Sequence, residues 1–83
     1  MEQYLYWFEG KSIEVRASED VLDRLSGLVI SYKMLSKDRL TKAAKEQRAF
    51  IDGFLYGLEV AEVIDAGERE KLYQFFMGGS TDD

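Results

Sequence analysis

Near its amino terminus the chain reads Tyr4-Leu5-Tyr6-Trp7-Phe8-Glu9-Gly10-Lys11-Ser12-Ile13-Glu14-Val15. Two short runs of strand-forming residues flank Glu9-Gly10-Lys11, which predicts an antiparallel β-hairpin over residues 3–17. The first run is apolar or aromatic at every position, so both faces of that strand carry large side chains. Only one face can pack against the rest of so small a chain, and the register of the hairpin decides which face that is.

Two turns fit between these strands. A two-residue turn at Glu9-Gly10 directs Tyr6 inward, whereas a three-residue turn with its glycine in the left-handed conformation directs Leu5 and Trp7 inward. We favour the three-residue turn, because glutamate resists the positive φ that the two-residue turn requires of it. In this register Leu5 and Trp7 share the inner face with Ile13 and Val15. The outer face then carries amphipathic tyrosines beside polar and charged residues: Tyr4, Tyr6, Ser12, Glu14 and Arg16.

The sequence after the hairpin predicts helices. Ser18 is a suitable N-cap for the first helix, and Ser36 or Asp38 is a candidate cap for the second. Asp65 and Glu68 have the spacing of a capping box, which marks the start of the third. The predicted helices cover residues 19–35, 40–62 and 66–77, and residues 78–83 follow as a frayed tail.

Two glycines inside the second helix are a separate feature. Gly53 and Gly57 lie one helical turn apart. In a helix each glycine costs up to about 1 kcal/mol relative to alanine, so we expect a reason for keeping both. The reason we favour is close packing of another backbone, either within the chain or across a dimer seam.

The length of the chain limits its core. A chain of 83 residues forms one domain, and its core contributes only a few kcal/mol of net stability. The predicted fold is α+β: an N-terminal antiparallel hairpin packed on two longer helices, with a short C-terminal helix, in a single domain over residues 1–83. A homodimer or a bound partner would add stability to so small a core.

The composition argues against catalysis. The sequence contains neither cysteine nor histidine, which removes disulfides, thiolate metal sites and histidine-activated nucleophiles. Glu59, Glu62 and Asp65 could bring carboxylates together on a helix, but they lack the loop of an EF-hand and we interpret them as surface residues. We therefore expect a protein that is not an enzyme and that uses no cofactor or metal.

The net charge of −5 is unevenly distributed. Residues 37–48 carry five basic and two acidic side chains, a net charge of +3, whereas residues 49–83 carry two basic and eight acidic ones, a net charge of −6. The basic cluster could contact phosphates, so the alternative function is that of a nucleic-acid-binding accessory or regulatory protein. The acidic composition of the whole chain argues against this alternative. Its candidate residues are Lys37, Arg39, Lys42 and Lys45.

The sequence shows no sign of membrane insertion or export. Its first residues lack the basic region and long apolar run of a signal peptide, and no segment has the roughly 18 consecutive apolar residues of a membrane span. We expect a cytoplasmic protein, in a bacterial or an infected host cell.

The outward tyrosines of the favoured register predict a contact surface. Aromatic side chains next to charges are typical of interfaces, where tyrosine, tryptophan and arginine carry much of the binding energy. A partner protein and a second copy of the chain explain such a surface equally well. With the other register, the surface would centre on Leu5 and Trp7 instead. The predicted partner-binding residues are Tyr4, Tyr6, Glu14 and Arg16, followed by the acidic Glu59, Glu62 and Glu68.

The carboxyl-terminal half supplies a resemblance. It contains Phe50-Ile51-Asp52-Gly53-Phe54-Leu55-Tyr56-Gly57-Leu58-Glu59-Val60-Ala61, then Val63-Ile64-Asp65 and Glu68-Arg69-Glu70-Lys71-Leu72-Tyr73. This segment, residues 50–73, resembles a pattern common in small accessory proteins of bacteriophages and plasmids. Such proteins include anti-CRISPR proteins and other inhibitors of host defence. The resemblance implies a non-catalytic inhibitor that covers a surface of a host protein or complex such as CRISPR-Cas. In a variant of this hypothesis, the acidic residues of the carboxyl-terminal part imitate phosphate charge.

Overall fold

A computed structural model describes residues 3–78. An antiparallel hairpin is followed by three helices, which confirms the predicted α+β class. The hairpin consists of β1 (Tyr4–Phe8) and β2 (Lys11–Val15), and the helices are α1 (Glu19–Lys37), α2 (Thr41–Val60) and α3 (Ala66–Met77). Of the predicted tail, Gly78 alone falls within the described range, and residues 79–83 lie outside it. None of the three helices that the structure describes is both long enough and apolar enough to cross a membrane.

The hairpin has the two-residue turn, so the register that we favoured is wrong. Tyr6 lies opposite Ile13 and Phe8 opposite Lys11. Glu9 has a φ of 51° and Gly10 a φ of 81°, the two positive values that a type I′ turn requires.

Packing of the strand explains why the turn prediction failed. A non-glycine residue in the left-handed conformation costs roughly 1–2 kcal/mol, whereas burying one large apolar side chain contributes roughly 1.5–3 kcal/mol. The observed register buries two aromatic rings, Tyr6 and Phe8, at 9% and 8% exposure. Phe8 meets Phe76 of α3 edge to face, with ring centroids 4.9 Å apart. The other register would bury Leu5 and Trp7 instead. The specific contacts of Tyr6 and Phe8 with α1 and α3, rather than burial alone, therefore offset the unfavourable conformation of Glu9.

The helix starts at α1 and α3 follow the predicted capping chemistry. The Ser18 side chain accepts a hydrogen bond from the backbone N–H of Val21 (3.4 Å). Asp65 and Glu68 form the capping box: the Asp65 carboxylate accepts from the Glu68 N–H (2.8 Å), and the Glu68 carboxylate accepts from the Asp65 N–H (3.1 Å). Both predicted caps are confirmed.

The start of α2 differs from the prediction. Its N-cap is Leu40, which has no oxygen in its side chain and makes no side-chain cap bond. Asp38 instead ends α1, and Ser36 is the last-turn residue whose carbonyl accepts from the N–H of Arg39 (3.1 Å). Arg39 has a left-handed φ of 64°, a position where glycine is usual. The connection is therefore shaped by the end of α1, and the predicted capping roles of Ser36 and Asp38 are wrong.

The core lies between the inner side of the hairpin and all three helices. Apolar residues of every element take part in one buried cluster. Between α1 and α2, Gln47 also donates from its side-chain amide to the backbone carbonyl of Leu28 (3.1 Å). The largest fully buried side chains are Val15, Leu22, Leu25, Val29, Ile51, Ile64 and Leu72.

The two glycines of α2 are not packing sites within the chain. A Cβ atom built on Gly53 or Gly57 would meet no described atom within 4 Å apart from the adjacent residues and backbone of α2 itself. Both glycines lie on the exposed side of α2. The prediction of close internal packing is therefore wrong, and a dimer seam at these glycines stays a prediction.

Candidate protein-binding site

The outer face of the hairpin consists of Leu5, Trp7, Ser12 and Glu14. The type I′ turn fixes this set, because residues alternate between the two faces of a strand and Tyr6 and Phe8 point into the core. Leu5 is 57% exposed and Trp7 is 64% exposed. Across the ladder Trp7 faces Ser12 and Leu5 faces Glu14, so neither has an apolar cross-strand neighbour. Two large apolar side chains are left in water on adjacent outward positions of one strand.

A groove runs from this face toward α3. It has a volume of about 600 Å³. Lys11 extends over the ring of Phe75, with its ammonium 5.8 Å from the ring centroid. Leu5 thus lies at one side of a concave surface with both apolar and basic groups. Its lining residues are Leu5, Lys11, Ser12, Ile13, Glu14, Lys71, Gln74 and Phe75.

Side chains of α3 bond to the free edge of β2. Lys71 donates from Nζ to the backbone carbonyl of Glu14 (2.9 Å). The carboxylate of Glu68 accepts a hydrogen bond from the backbone N–H of Arg16 (3.3 Å) and pairs with its Nε (3.0 Å). Backbone groups at the carboxyl-terminal end of β2 therefore already have partners.

The predicted outward tyrosines separate in the structure. Tyr4 and Tyr6 both lie on the inner side of the strand, so the outward orientation predicted for them is wrong. Tyr4 is 47% exposed at the amino-terminal end of the strand, whereas Tyr6 is a core residue. The Tyr6 hydroxyl donates to the carboxylate of Asp23 (2.8 Å) and lies 3.3 Å from the Ser26 hydroxyl. Burial raises the pKa of the Tyr6 phenol; the Ser26 hydrogen bond lowers it, and the nearby Asp23 raises it further. Tyr6 thus joins β1 to α1.

Arg16 and two of the predicted acidic residues, Glu59 and Glu62, lie around one hollow of about 450 Å³. Arg16 and Glu68 pair with each other, with side chains 24% and 12% exposed, so their charges hold β2 to α3. Glu59 pairs with Arg69. Glu62 remains exposed and has a left-handed φ of 64° just beyond the end of α2. The structure therefore brings Arg16, Glu59 and Glu62 together, and Glu14 lies apart from them on the outer face.

The basic residues of the alternative function are exposed at the α1–α2 connection. Lys37, Arg39, Lys42 and Lys45 form no ion pair with any carboxylate in residues 3–78. The neighbouring Arg48 differs, because it donates to the Tyr73 hydroxyl, and this hydrogen bond raises the pKa of Arg48.

An exposed apolar side of α2 was missed by the sequence analysis. Phe50, Tyr56 and Val60 are 59%, 61% and 64% exposed, with Gly53 and Gly57 between them. The signal was available in part: Phe50, Gly53, Gly57 and Val60 recur at steps of three and four residues, apart from the buried stripe. We expected a packing role for the glycines and did not predict this apolar side.

The described residues do not group around a metal. Between residues 3 and 78 there is no cluster of three or more aspartate or glutamate side chains suited to hold an ion. Asp65 instead caps α3, and Glu59 pairs with Arg69. The chemistry that this surface offers is apolar contact and charge pairing.

Comparisons with protein families, with curated proteins and with solved structures gave no match. The arrangement of the site itself therefore carries the functional argument.

Proposed function

We propose that this chain is a non-catalytic protein-binding protein whose outer hairpin face contacts its partner. The observation that carries the proposal is the pair Leu5 and Trp7, exposed side by side on a strand with no apolar cross-strand neighbour. Exposed apolar side chains that lie next to each other mark interaction sites more often than scattered ones do. Tryptophan also ranks among the residues that contribute most to interface energy.

Charged groups around this pair give the surface specificity. Glu14 lies opposite Leu5 on the same face, and Lys11 and Lys71 line the adjoining groove. Such a rim of charges around an apolar centre selects partners by complementary charge and speeds association. A partner with an apolar protrusion flanked by charges of both signs fits this surface.

The resemblance of residues 50–73 to accessory proteins of phages and plasmids supports an inhibitory role. In that role the chain binds a host protein or complex, such as a CRISPR-Cas complex, and covers a working surface. Glu59 and Glu62, which share one hollow with Arg16, form a second proposed contact area. Glu59 is paired with Arg69, so the exposed Glu62 provides the acidic charge there for phosphate imitation.

A pull-down from host-cell lysate with quantitative mass spectrometry tests the binding site. We expect the Leu5→Ser, Trp7→Ser double variant to stay folded and to lose the protein captured by the wild type, with at least about tenfold less recovered. The matched control is Ile30→Ser, Met34→Ser, which removes two exposed apolar side chains from α1 and should capture as the wild type does. Equal capture by the two double variants would contradict the proposed site.

Phage infection tests the inhibitory role separately. Expression of the chain in strains that each carry one CRISPR-Cas system should restore plaques of a targeted phage in at least one strain. The Leu5→Ser, Trp7→Ser variant should not restore them. If CRISPR-Cas still prevents plaques in every strain, the chain does not inhibit these systems. The protein-binding proposal is then tested by the pull-down alone.

A second candidate function rests on the four unpaired basic residues. Lys42 and Lys45 lie in the first turns of α2, which has no acidic residue in its first turn. Positive side chains there are unfavourable beside the positive end of the helix dipole, so local stability does not explain them. Contact with phosphates would explain why Lys42 and Lys45 occur at this end of the helix.

Fluorescence anisotropy with labelled DNA and RNA tests this candidate. Four phosphate contacts would weaken binding roughly tenfold for each doubling of salt concentration. The Lys42→Gln, Lys45→Gln variant removes two of the four contacts and should halve the slope, to about 3.5-fold for each doubling, whereas Arg24→Gln on α1 should keep the full slope. Absence of salt-dependent binding by the wild type would leave protein binding as the function.

A further inference from the structure

The outer edge of β1 is open. In a two-residue hairpin the residues that flank the turn, Phe8 and Lys11, form a hydrogen-bonded pair, and bonded pairs then alternate along the ladder. The backbone groups of Leu5 and Trp7 consequently point away from β2. The bonds from α3 agree with this alternation, because they reach the outward carbonyl of Glu14, whose ladder partner is Leu5. Nothing within residues 3–78 bonds to the outward backbone groups of Leu5 and Trp7.

We propose that two copies of this chain pair antiparallel through the β1 edge, centred on Tyr6, to form one continuous sheet. The edge is complementary to itself, because Leu5 and Trp7 are equidistant from Tyr6. In the antiparallel arrangement the backbone of Leu5 lies opposite that of Trp7 of the second copy. By symmetry Trp7 lies opposite Leu5 of the second copy, and both of these pairs are hydrogen-bonded.

The side chains favour the same pairing. Within one copy Leu5 faces Glu14 and Trp7 faces Ser12. In the pair each gains an apolar cross-strand neighbour, Leu5 beside Trp7 of the second copy. On the inner side Tyr4, 47% exposed in one copy, comes opposite Phe8 of the second.

The lack of charge on β1 allows a second copy of the chain to bind at its edge. β1 contains no charged residue and no proline, the features with which proteins usually protect an exposed strand edge. Two β1 strands therefore meet without like charges opposite each other. An extended segment of another protein could supply backbone groups, but a second copy is certain to supply an uncharged strand and an apolar neighbour for both Leu5 and Trp7.

The other edge explains why the assembly ends at two copies. Lys71 and Glu68 bond to the backbone at Glu14 and Arg16, so β2 cannot accept a strand along its carboxyl-terminal end. The pair is closed rather than the start of a fibre. It uses the backbone edge of β1, whereas the proposed partner contacts the outer face, which the pair presents twice on one sheet.

Sedimentation velocity over a range of protein concentrations tests the pairing. We expect the wild type to sediment as a dimer. Trp7→Pro removes an outward N–H that the β1–β2 ladder does not use, and it should weaken dimerisation by at least about tenfold. Ser12→Pro is the matched control, because it removes an outward N–H from β2 and should leave the dimer intact. A monomeric wild type, or a dimer that Trp7→Pro leaves unchanged, overturns the proposal.

Amide hydrogen exchange on the wild type avoids any variant that fails to fold. Protection of the Leu5 and Trp7 amides should rise with protein concentration, whereas protection of the Ser12 amide should not. Concentration-independent exchange at Leu5 and Trp7 overturns the proposal even if a dimer forms, because that dimer would use another surface such as the exposed side of α2.

Discussion

The inner and outer faces of the hairpin are built from similar residues but have different surroundings. On β1, the inner Tyr6 and Phe8 are at most 9% exposed, whereas the outer Leu5 and Trp7 are 57% and 64% exposed. Composition does not distinguish these pairs, because each consists of large side chains suited to burial. The inner pair packs on Phe76 of α3, and the outer pair meets nothing comparable among residues 3–78. An apolar face that its own chain leaves uncovered is available to another molecule.

The largest expected difference between the faces is in stability. Phe8→Ala should lower the free energy of unfolding by about 3–5 kcal/mol, because it removes a buried ring and leaves a cavity beside Phe76. Trp7→Ala should lower it by less than about 1 kcal/mol, since most of its ring is already in water. Urea unfolding followed by circular dichroism measures both. If Phe8→Ala does not fold, Phe8→Leu provides a measurable intermediate loss. Similar losses for Phe8→Leu and Trp7→Ala would show that the two faces are not distinct.

Local signals predicted the fold well. Ser18 and the Asp65–Glu68 pair fix the starts of α1 and α3 through bonds to nearby backbone, and the sequence spacing contains that information. The start of α2 could not be read in the same way, because Leu40 makes no side-chain cap bond. There the end of α1 determines the path of the connection. Arg39 takes a left-handed φ, which arginine rarely adopts, so the sequence does not indicate this turn.

The site was harder to predict, because it depends on one register. The choice between Tyr6 and Trp7 as the exposed side chain depends on whether Glu9 accepts a positive φ. The register is decided by Phe76, which lies far along the chain and against which Tyr6 and Phe8 pack. Contacts between distant segments outweigh the conformational preference of Glu9 here, and the residues near the turn do not indicate those contacts.

A second prediction concerns the polar end of the inner face. Tyr6→Phe removes the hydrogen bonds to Asp23 and Ser26 and should cost about 1 kcal/mol at neutral pH. The raised pKa of Tyr6 also makes its contribution depend on pH. Above the ordinary value of 10.0 the unfolded chain loses the proton first, so deprotonation favours unfolding. The stability that Tyr6 contributes is therefore complete below that pH and is lost as the pH rises through the folded value.

Urea unfolding at several values between about pH 8 and pH 11 measures this effect. The Tyr6→Phe variant should lose less stability over that range than the wild type does. Tyr4→Phe is the matched control, because it removes a phenol that is 47% exposed from the same strand. Equal alkaline losses in the wild type and in Tyr6→Phe would show that the Tyr6 phenol is not held differently in the folded state.

The smallest expected effect concerns the turn that assigns residues to the two faces. Glu9 adopts a φ of 51°, a conformation that asparagine tolerates better, so Glu9→Asn should stabilise the fold by about 0.5–1 kcal/mol. The substitution also removes the ion pair of Glu9 with Lys33 (3.1 Å), an exposed contact of small value. Glu9→Gln is the control, because it removes the same charge without the turn preference and should give no gain. A higher urea midpoint for Glu9→Asn than for Glu9→Gln supports the type I′ turn. The reverse order would indicate a three-residue turn, in which Leu5 and Trp7 belong to the core and Tyr4 and Tyr6 to the contact surface.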